Sequence, residues 1–189
     1  LNGARTSPME STKTLLNDVF GFNNFRPGQG EIIDAVTSGE NVLAIMPTGG
    51  GKSLCFQLPA LLNDGLTVVI SPLIALMRDQ VRGLKAVGVA AGAITSGNTQ
   101  EEVDQVLSQI FSGDLKLLYL APERLVSRKI QNILSSANVT SIAVDEAHCV
   151  SQWGHDFRPD YLGIGELRRK LCVPLSAFTA TADKETQQE

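Results

Sequence analysis

Six short apolar runs punctuate this sequence, at residues 41–46, 66–70, 89–95, 115–120, 140–144 and 173–178. From Val42 to Leu66, Ala90, Leu115 and Thr140 the steps are 24, 24, 25 and 25 residues. A step of that length holds one strand and one crossover helix. The segments do not resemble one another, so the spacing is architectural and not a sequence repeat. None of the runs alternates cleanly between polar and apolar, the pattern expected of strands covered on both faces. Helical patterns fill the gaps, at 54–62, 73–86, 100–111, 128–137 and 161–171. The fold class that follows is α/β: a doubly wound parallel sheet flanked by helices, with right-handed crossovers. Two more helices, at 11–19 and 29–37, precede the first run. Residues 1–10 read as a disordered tail and 11–189 as a single domain, since no linker divides them. In such sheets ligands bind beyond the carboxyl ends of the strands.

Composition narrows the function classes. A domain of 189 residues buries roughly 70% of its unfolded surface, enough for one core. The longest run without a polar side chain, 86–94, has nine residues, against the ~20 of a membrane-spanning helix. Residues 1–12 are polar and do not read as a secretory signal. Cys55, Cys149 and Cys172 form no CxxC pair, which argues against a zinc site built from this chain. They suit a reducing, intracellular compartment, with Cys149 and Cys172 expected as buried packing residues. A formal charge of −4 argues against broad nucleic-acid binding by net charge, so any such binding must be local.

Directly after the first run comes Met46-Pro47-Thr48-Gly49-Gly50-Gly51-Lys52-Ser53, followed by a helical stretch. Strand, glycine loop, Gly-Lys-Ser and helix is the phosphate loop in its required context. Three consecutive glycines let backbone N–H groups curl around an anion, and the new helix aims its positive end at the same phosphates. Lys52 can place a charge on the β/γ-phosphates, and the Ser53 hydroxyl can ligate Mg²⁺. Met46 stands where the pattern has its first glycine.

A second constellation, Asp145-Glu146-Ala147-His148, closes the run at 140–144. An Asp at a strand tip can hold Mg²⁺ opposite Ser53, and the adjacent Glu can orient and deprotonate an attacking water. Adjacent carboxylates repel one another, so a divalent cation is their natural companion. Phe22 could cover a purine face, and the Gln29 amide offers the donor and acceptor that adenine matches. Phe20 and Phe25 are expected in the core. Six of the ten aromatics fall in 20–25 and 153–161. The second stretch sets Trp153, His155 and Phe157 beside Arg158, a pattern that can stack single-stranded bases and meet a phosphate, or can pack upon itself. Arg78, Arg82 and Lys85, and the cluster Arg168-Arg169-Lys170, read as solvated faces.

Asp-Glu-Ala-His after a buried strand resembles motif II of the DExH-box helicase superfamily. The likeness narrows to RecQ-type DNA helicases in Phe25-Arg26-Pro27-Gly28-Gln29, in Met46 to Ser53, in Ser71-Pro72-Leu73, in Pro122-Glu123-Arg124, in Phe178-Thr179-Ala180-Thr181, and above all in Gln152-Trp153-Gly154-His155-Asp156-Phe157-Arg158-Pro159. The resemblance implies the first RecA-like lobe of an ATP- and Mg²⁺-dependent enzyme, with catalytic Lys52, Asp145 and Glu146. It implies an adenine site at Phe22, Arg26 and Gln29, and a loop with Trp153, His155, Phe157 and Arg158 that senses single-stranded DNA and relays it to the ATP site. It also implies single-stranded and forked DNA as partners, and 3′→5′ strand separation in recombination and repair. A second lobe, and a zinc site, are expected only in chain beyond these residues, so the 189 residues alone are expected to turn ATP over poorly. A phosphate-loop kinase would need an acceptor pocket for which no motif is present, and Lys52 with Glu146 argues against a non-catalytic module.

Overall fold

The computed structural model describes residues 8–47, 51–150 and 157–180, with side chains from residue 11 onward. Helices α1 (Pro8–Asp18) and α2 (Gln29–Thr37) lead into β1 (Val42–Met46) and α3 (Leu54–Leu62). Then come β2 (Leu66–Ile70), α4 (Ile74–Ala86), β3 (Ala91–Ile94), α5 (Gln100–Ser112) and β4 (Leu117–Leu120). The chain continues through α6 (Arg128–Ser136), β5 (Val139–Val144), α7 (Leu162–Leu171) and β6 (Leu175–Ala180). Single 3₁₀ turns occupy Pro122–Val126, Ala147–Val150 and Pro159–Tyr161. Helix α1 starts three residues before its expected position, at a proline whose missing N–H costs nothing in a first turn. It takes in residues 8–10 of the expected tail; residues 1–7 lie outside the described residues. Among the described residues no helix is long and apolar enough to cross a membrane.

All six strands pair in parallel, in the order β1-β6-β5-β2-β4-β3. Alternate strand residues feed two separate apolar layers. Val69, Tyr119 and Ala143 pack with Leu16, Ile33, Phe56 and Met77 from α1–α4. Val68, Leu118 and Ile142 pack with Leu107, Leu134 and Leu167 from α5–α7. The doubly wound sheet expected from the run spacing is therefore present. Helix α5 shows the local logic: the Thr99 hydroxyl accepts from the Glu102 N–H at 3.2 Å, two acidic residues sit in the first turn, and Gly113 closes the helix at φ +79°.

The sheet departs from expectation at one edge. Leu43 and Ile45 on β1 are 69% and 61% exposed, while Ala44 and Met46 between and beyond them are buried. β1 is thus covered on one face only among the described residues, because α5–α7 serve the strands from β5 to β3. β3 begins two residues later than its apolar run. The Val89 N–H is drawn back to the Leu84 carbonyl at 2.9 Å, completing the end of α4.

Candidate functional site

Parallel strands all end on one rim, and the side chains singled out in the sequence leave the sheet there. Lys52, just past β1, carries its Nζ 3.6 Å from Asp145 Oδ1 and 3.7 Å from Glu146 Oε1, both just past β5. The ammonium lies within 3.7 Å of two carboxylates that are 93 and 94 residues away in sequence. Asp145 is only 6% exposed. Its N–H continues the ladder to the Ile70 carbonyl at 2.9 Å, and its Oδ1 accepts from the Glu146 N–H at 2.9 Å. Burial lifts the Asp145 carboxyl above the ordinary carboxylate range, and Lys52 and the Glu146 amide pull it partly back. Such a group favours a cation in contact with it. Glu146 itself has φ +55°, a left-handed backbone that side-chain-bearing residues seldom adopt. That turn aims its carboxylate back toward Lys52. His148 Nε2 lies 3.4 Å from Glu146 Oε2, and His148 Nδ1 lies 3.2 Å from Thr179 Oγ1 on β6.

The described part of the phosphate loop explains two of its residue choices. Met46, in the place of the first glycine, is buried against Cys55, whose thiol lies 4.0 Å from the Met46 sulfur. Burial pushes that thiol up to about 12, so it is an inert packing group. Gly51 has φ +78°, and a Cβ there would collide with the Gln29 amide. Gln29 is 3% exposed; its Oε1 accepts from the Arg26 N–H at 2.7 Å and its Nε2 donates to the Gly51 carbonyl at 3.1 Å. The entry segment is thereby latched to the end of the loop. Phe22 stands 51% exposed nearby in sequence, while Phe20 and Phe25 pack against the core as expected. Pro47 follows β1 directly; Thr48, Gly49 and Gly50 lie outside the described residues. Ser53 opens α3, its carbonyl accepting the Gln57 N–H at 2.9 Å.

Of the aromatic-rich stretch, Trp153 and His155 lie outside the described residues. Phe157 and Arg158 line the same open cleft as Pro72, Leu73, Glu146 and His148. The Arg158 N–H donates to the Cys149 carbonyl at 2.9 Å, and its guanidinium lies 3.6 Å from Asp160. The end of that stretch therefore shares a cleft with Glu146 of the acidic pair. The structure adds a residue for which the sequence suggests no role: Tyr161, 1% exposed, whose hydroxyl donates to the Asp145 carbonyl at 3.3 Å. Nothing local in the sequence signals that bond. Thr181 lies outside the described residues.

The remaining candidates behave as surface groups. Arg82 pairs with Asp79 at 3.6 Å while both stay largely exposed, Arg78 donates to the Gly97 carbonyl at 2.7 Å, and Lys170 donates to Gln131 at 2.9 Å. Arg124 donates to the Thr95 carbonyl at 2.7 Å, bracing the loops after β3 and β4. Cys149 is buried, but Cys172 is exposed, contrary to expectation. It occupies the left-handed position that ends α7, at φ 52°, where the backbone points the side chain outward. Among the described residues, no cluster of three or more His, Cys, Asp or Glu could hold a metal unaided.

Comparison with known proteins matches these features to one family. A profile described as DEAD/DEAH box helicase matches residues 26–189. The chain is 50% identical over 177 residues to the ATP-dependent DNA helicase RecQ of Haemophilus influenzae, covering 93% of this chain and 29% of that protein. It is 48% identical to the protein of the same name from Synechocystis, covering 94% and 39%. The chain thus spans about a third of the length of the curated relatives it matches. In fold it is similar to the DUF1998 helicase MrfA, solved with DNA and AMPPNP, at a TM-score of 0.75 and 20% identity over 95% of this chain and 27% of that one. It is likewise similar to the helicase Lhr of Mycobacterium smegmatis, solved with single-stranded DNA and AMP-PNP, at 0.67 and 23% over 97% and 26%. At those identities the likeness establishes the RecA-like architecture alone.

Proposed function

The chain belongs to the DEAD/DEAH box helicase family, and we propose that it is the ATP-binding lobe of a RecQ-type, ATP-dependent DNA helicase. The observation that carries the reading is the meeting of Lys52, Asp145 and Glu146 within 3.7 Å at the strand ends. In this reading the glycine-loop amides and Lys52 grip the triphosphate, and Phe22, Arg26 and Gln29 hold the adenine, Gln29 exchanging its bonds to Arg26 and Gly51 for the base. Ser53 and Asp145 would hold Mg²⁺. The donor set fits: a hydroxyl, one buried carboxylate raised by burial, and phosphate and water for the rest, which is how Mg²⁺ is ordinarily bound. When bound, the metal neutralises charge developing on the phosphates. Glu146 orients the attacking water and takes its proton. His148 spans from Glu146 to Thr179, a path from the acidic pair to β6.

Trp153, His155, Phe157 and Arg158 form the strand sensor in this proposal, supported by the cleft that Phe157 and Arg158 share with Glu146. The RecQ likeness further supports 3′→5′ translocation, forked substrates, work in recombination and repair, an intracellular setting, and a zinc site outside these residues. The decisive test is a pair of titrations, with MgATP and with single-stranded DNA. Lys52→Ala is expected to lose nucleotide binding and keep DNA affinity. Equal loss of both would overturn the assignment of roles.

A further inference from the structure

Three polar side chains from distant parts of the sequence meet at the apolar layer beneath the site, two of them buried and Gln80 half-buried at its edge. Gln57 Nε2 on α3 donates to the Tyr119 hydroxyl on β4 at 2.9 Å. That hydroxyl donates to Gln80 Oε1 on α4 at 2.7 Å, and Gln57 Nε2 reaches the same Oε1 at 3.4 Å. Tyr119 is 1% and Gln57 7% exposed, with Phe56 packed edge-to-face on the Tyr119 ring. Burial raises the Tyr119 hydroxyl well above its usual value, so it stays a neutral donor. Stability alone does not call for this cluster, since apolar groups of the same shape can replace a buried hydrogen-bonded set at little cost.

Its location supplies another reason. Gln57 lies one turn beyond Ser53 and bonds to its carbonyl. Gln80 lies on the helix that begins just after Ser71-Pro72-Leu73, and Pro72 and Leu73 line the cleft with Phe157 and Arg158. Ser71, Gln80, Tyr119 and Asp145 border one narrow internal gap. A fully satisfied, directional polar network adds to apolar packing by fixing the relative setting of the two helices.

We infer that Gln57, Tyr119 and Gln80 are positioning residues that tie the set of α3, which follows the phosphate loop, to α4 and the loop at its head, and so link nucleotide binding to DNA binding. The inference rests on the proposed reading of those two surfaces. Gln80 contributes only an acceptor to the cluster, which gives a specific chemical signature: Glu can replace it and Leu cannot.

The test is the affinity of the full chain for a labelled oligothymidylate with and without a non-hydrolysable MgATP analogue. Linkage appears as the ratio of the two affinities, commonly ~5–150-fold where two sites are coupled. Tyr119→Phe and Gln80→Leu are expected to bring the ratio close to one while each ligand's own affinity holds, and Gln80→Glu to retain the wild-type ratio. An unchanged ratio in Tyr119→Phe and Gln80→Leu would overturn the inference. So would loss of either ligand's own affinity in those variants, which would mark a packing role. A wild-type chain that binds both ligands with a ratio of one would overturn it and leave the proposed function standing, whereas a wild type that binds no DNA would remove the proposed function as well.

Discussion

Replacing Gly51 by alanine tests the latch between the entry segment and the phosphate loop. Two costs can be worked out from the geometry. Alanine held at φ +78° carries a left-handed penalty of about 1–2 kcal/mol. The new Cβ also displaces the Gln29 amide, breaking its bonds to the Arg26 N–H and the Gly51 carbonyl inside the protein, at about 0.5–1.5 kcal/mol each. The sum is about 2–5 kcal/mol; at roughly 2–4 °C per kcal/mol for a domain of this size, the melting midpoint should fall on the order of 10 °C. Circular dichroism melts of Gly51→Ala, Gln29→Ala and the double variant separate the terms. Gln29→Ala loses the two bonds without the backbone penalty. In the Gly51→Ala background it should therefore cost little more, giving an interaction of about 1–3 kcal/mol. Strictly additive losses would refute the latch.

Two further outcomes follow from the same site. The Asp145 carboxyl is raised in the folded chain above its value of 3.8, so its ionised form opposes folding at neutral pH and its protonated form does not. Asp145→Asn should raise the melting midpoint at neutral pH, with the advantage shrinking as pH falls through the folded-state value and gone below 3.8; melts across that range that show a constant or reversed difference would contradict it. Arg158→Ala should weaken single-stranded DNA binding and lower its salt slope by about 0.7, the share of one phosphate contact, with nucleotide titrations unchanged; an unaltered slope would exclude Arg158 from the DNA path.

Much of the architecture was legible because buried strands and amphipathic helices leave a periodic trace. β2, α2 and α3 occupy the spans their apolar patterns suggest. Lys52 and Asp145 were foreseeable partners because each follows a strand, and parallel strands end on a common rim. What stayed hidden depends on contacts without local periodicity. The exposure of Leu43 and Ile45 reflects how far α5–α7 extend across the sheet, which composition does not encode. Gln57, Tyr119 and Gln80 are separated by 62 and 39 residues and look like ordinary members of their helices and strand. The left-handed turn at Glu146 and the outward Cys172 are conformations that glycine usually signals, and neither position has one.

The backbone at Glu146 has a lasting consequence. Glycine would relax that turn by ~1–2 kcal/mol, so a chain screened for robustness alone would drift toward glycine there and give up the carboxylate. With Glu146 in its proposed role as base, thermal tolerance and chemical competence pull in opposite directions at this one residue. Under that proposal, libraries ranked by melting temperature would enrich for chains without the base.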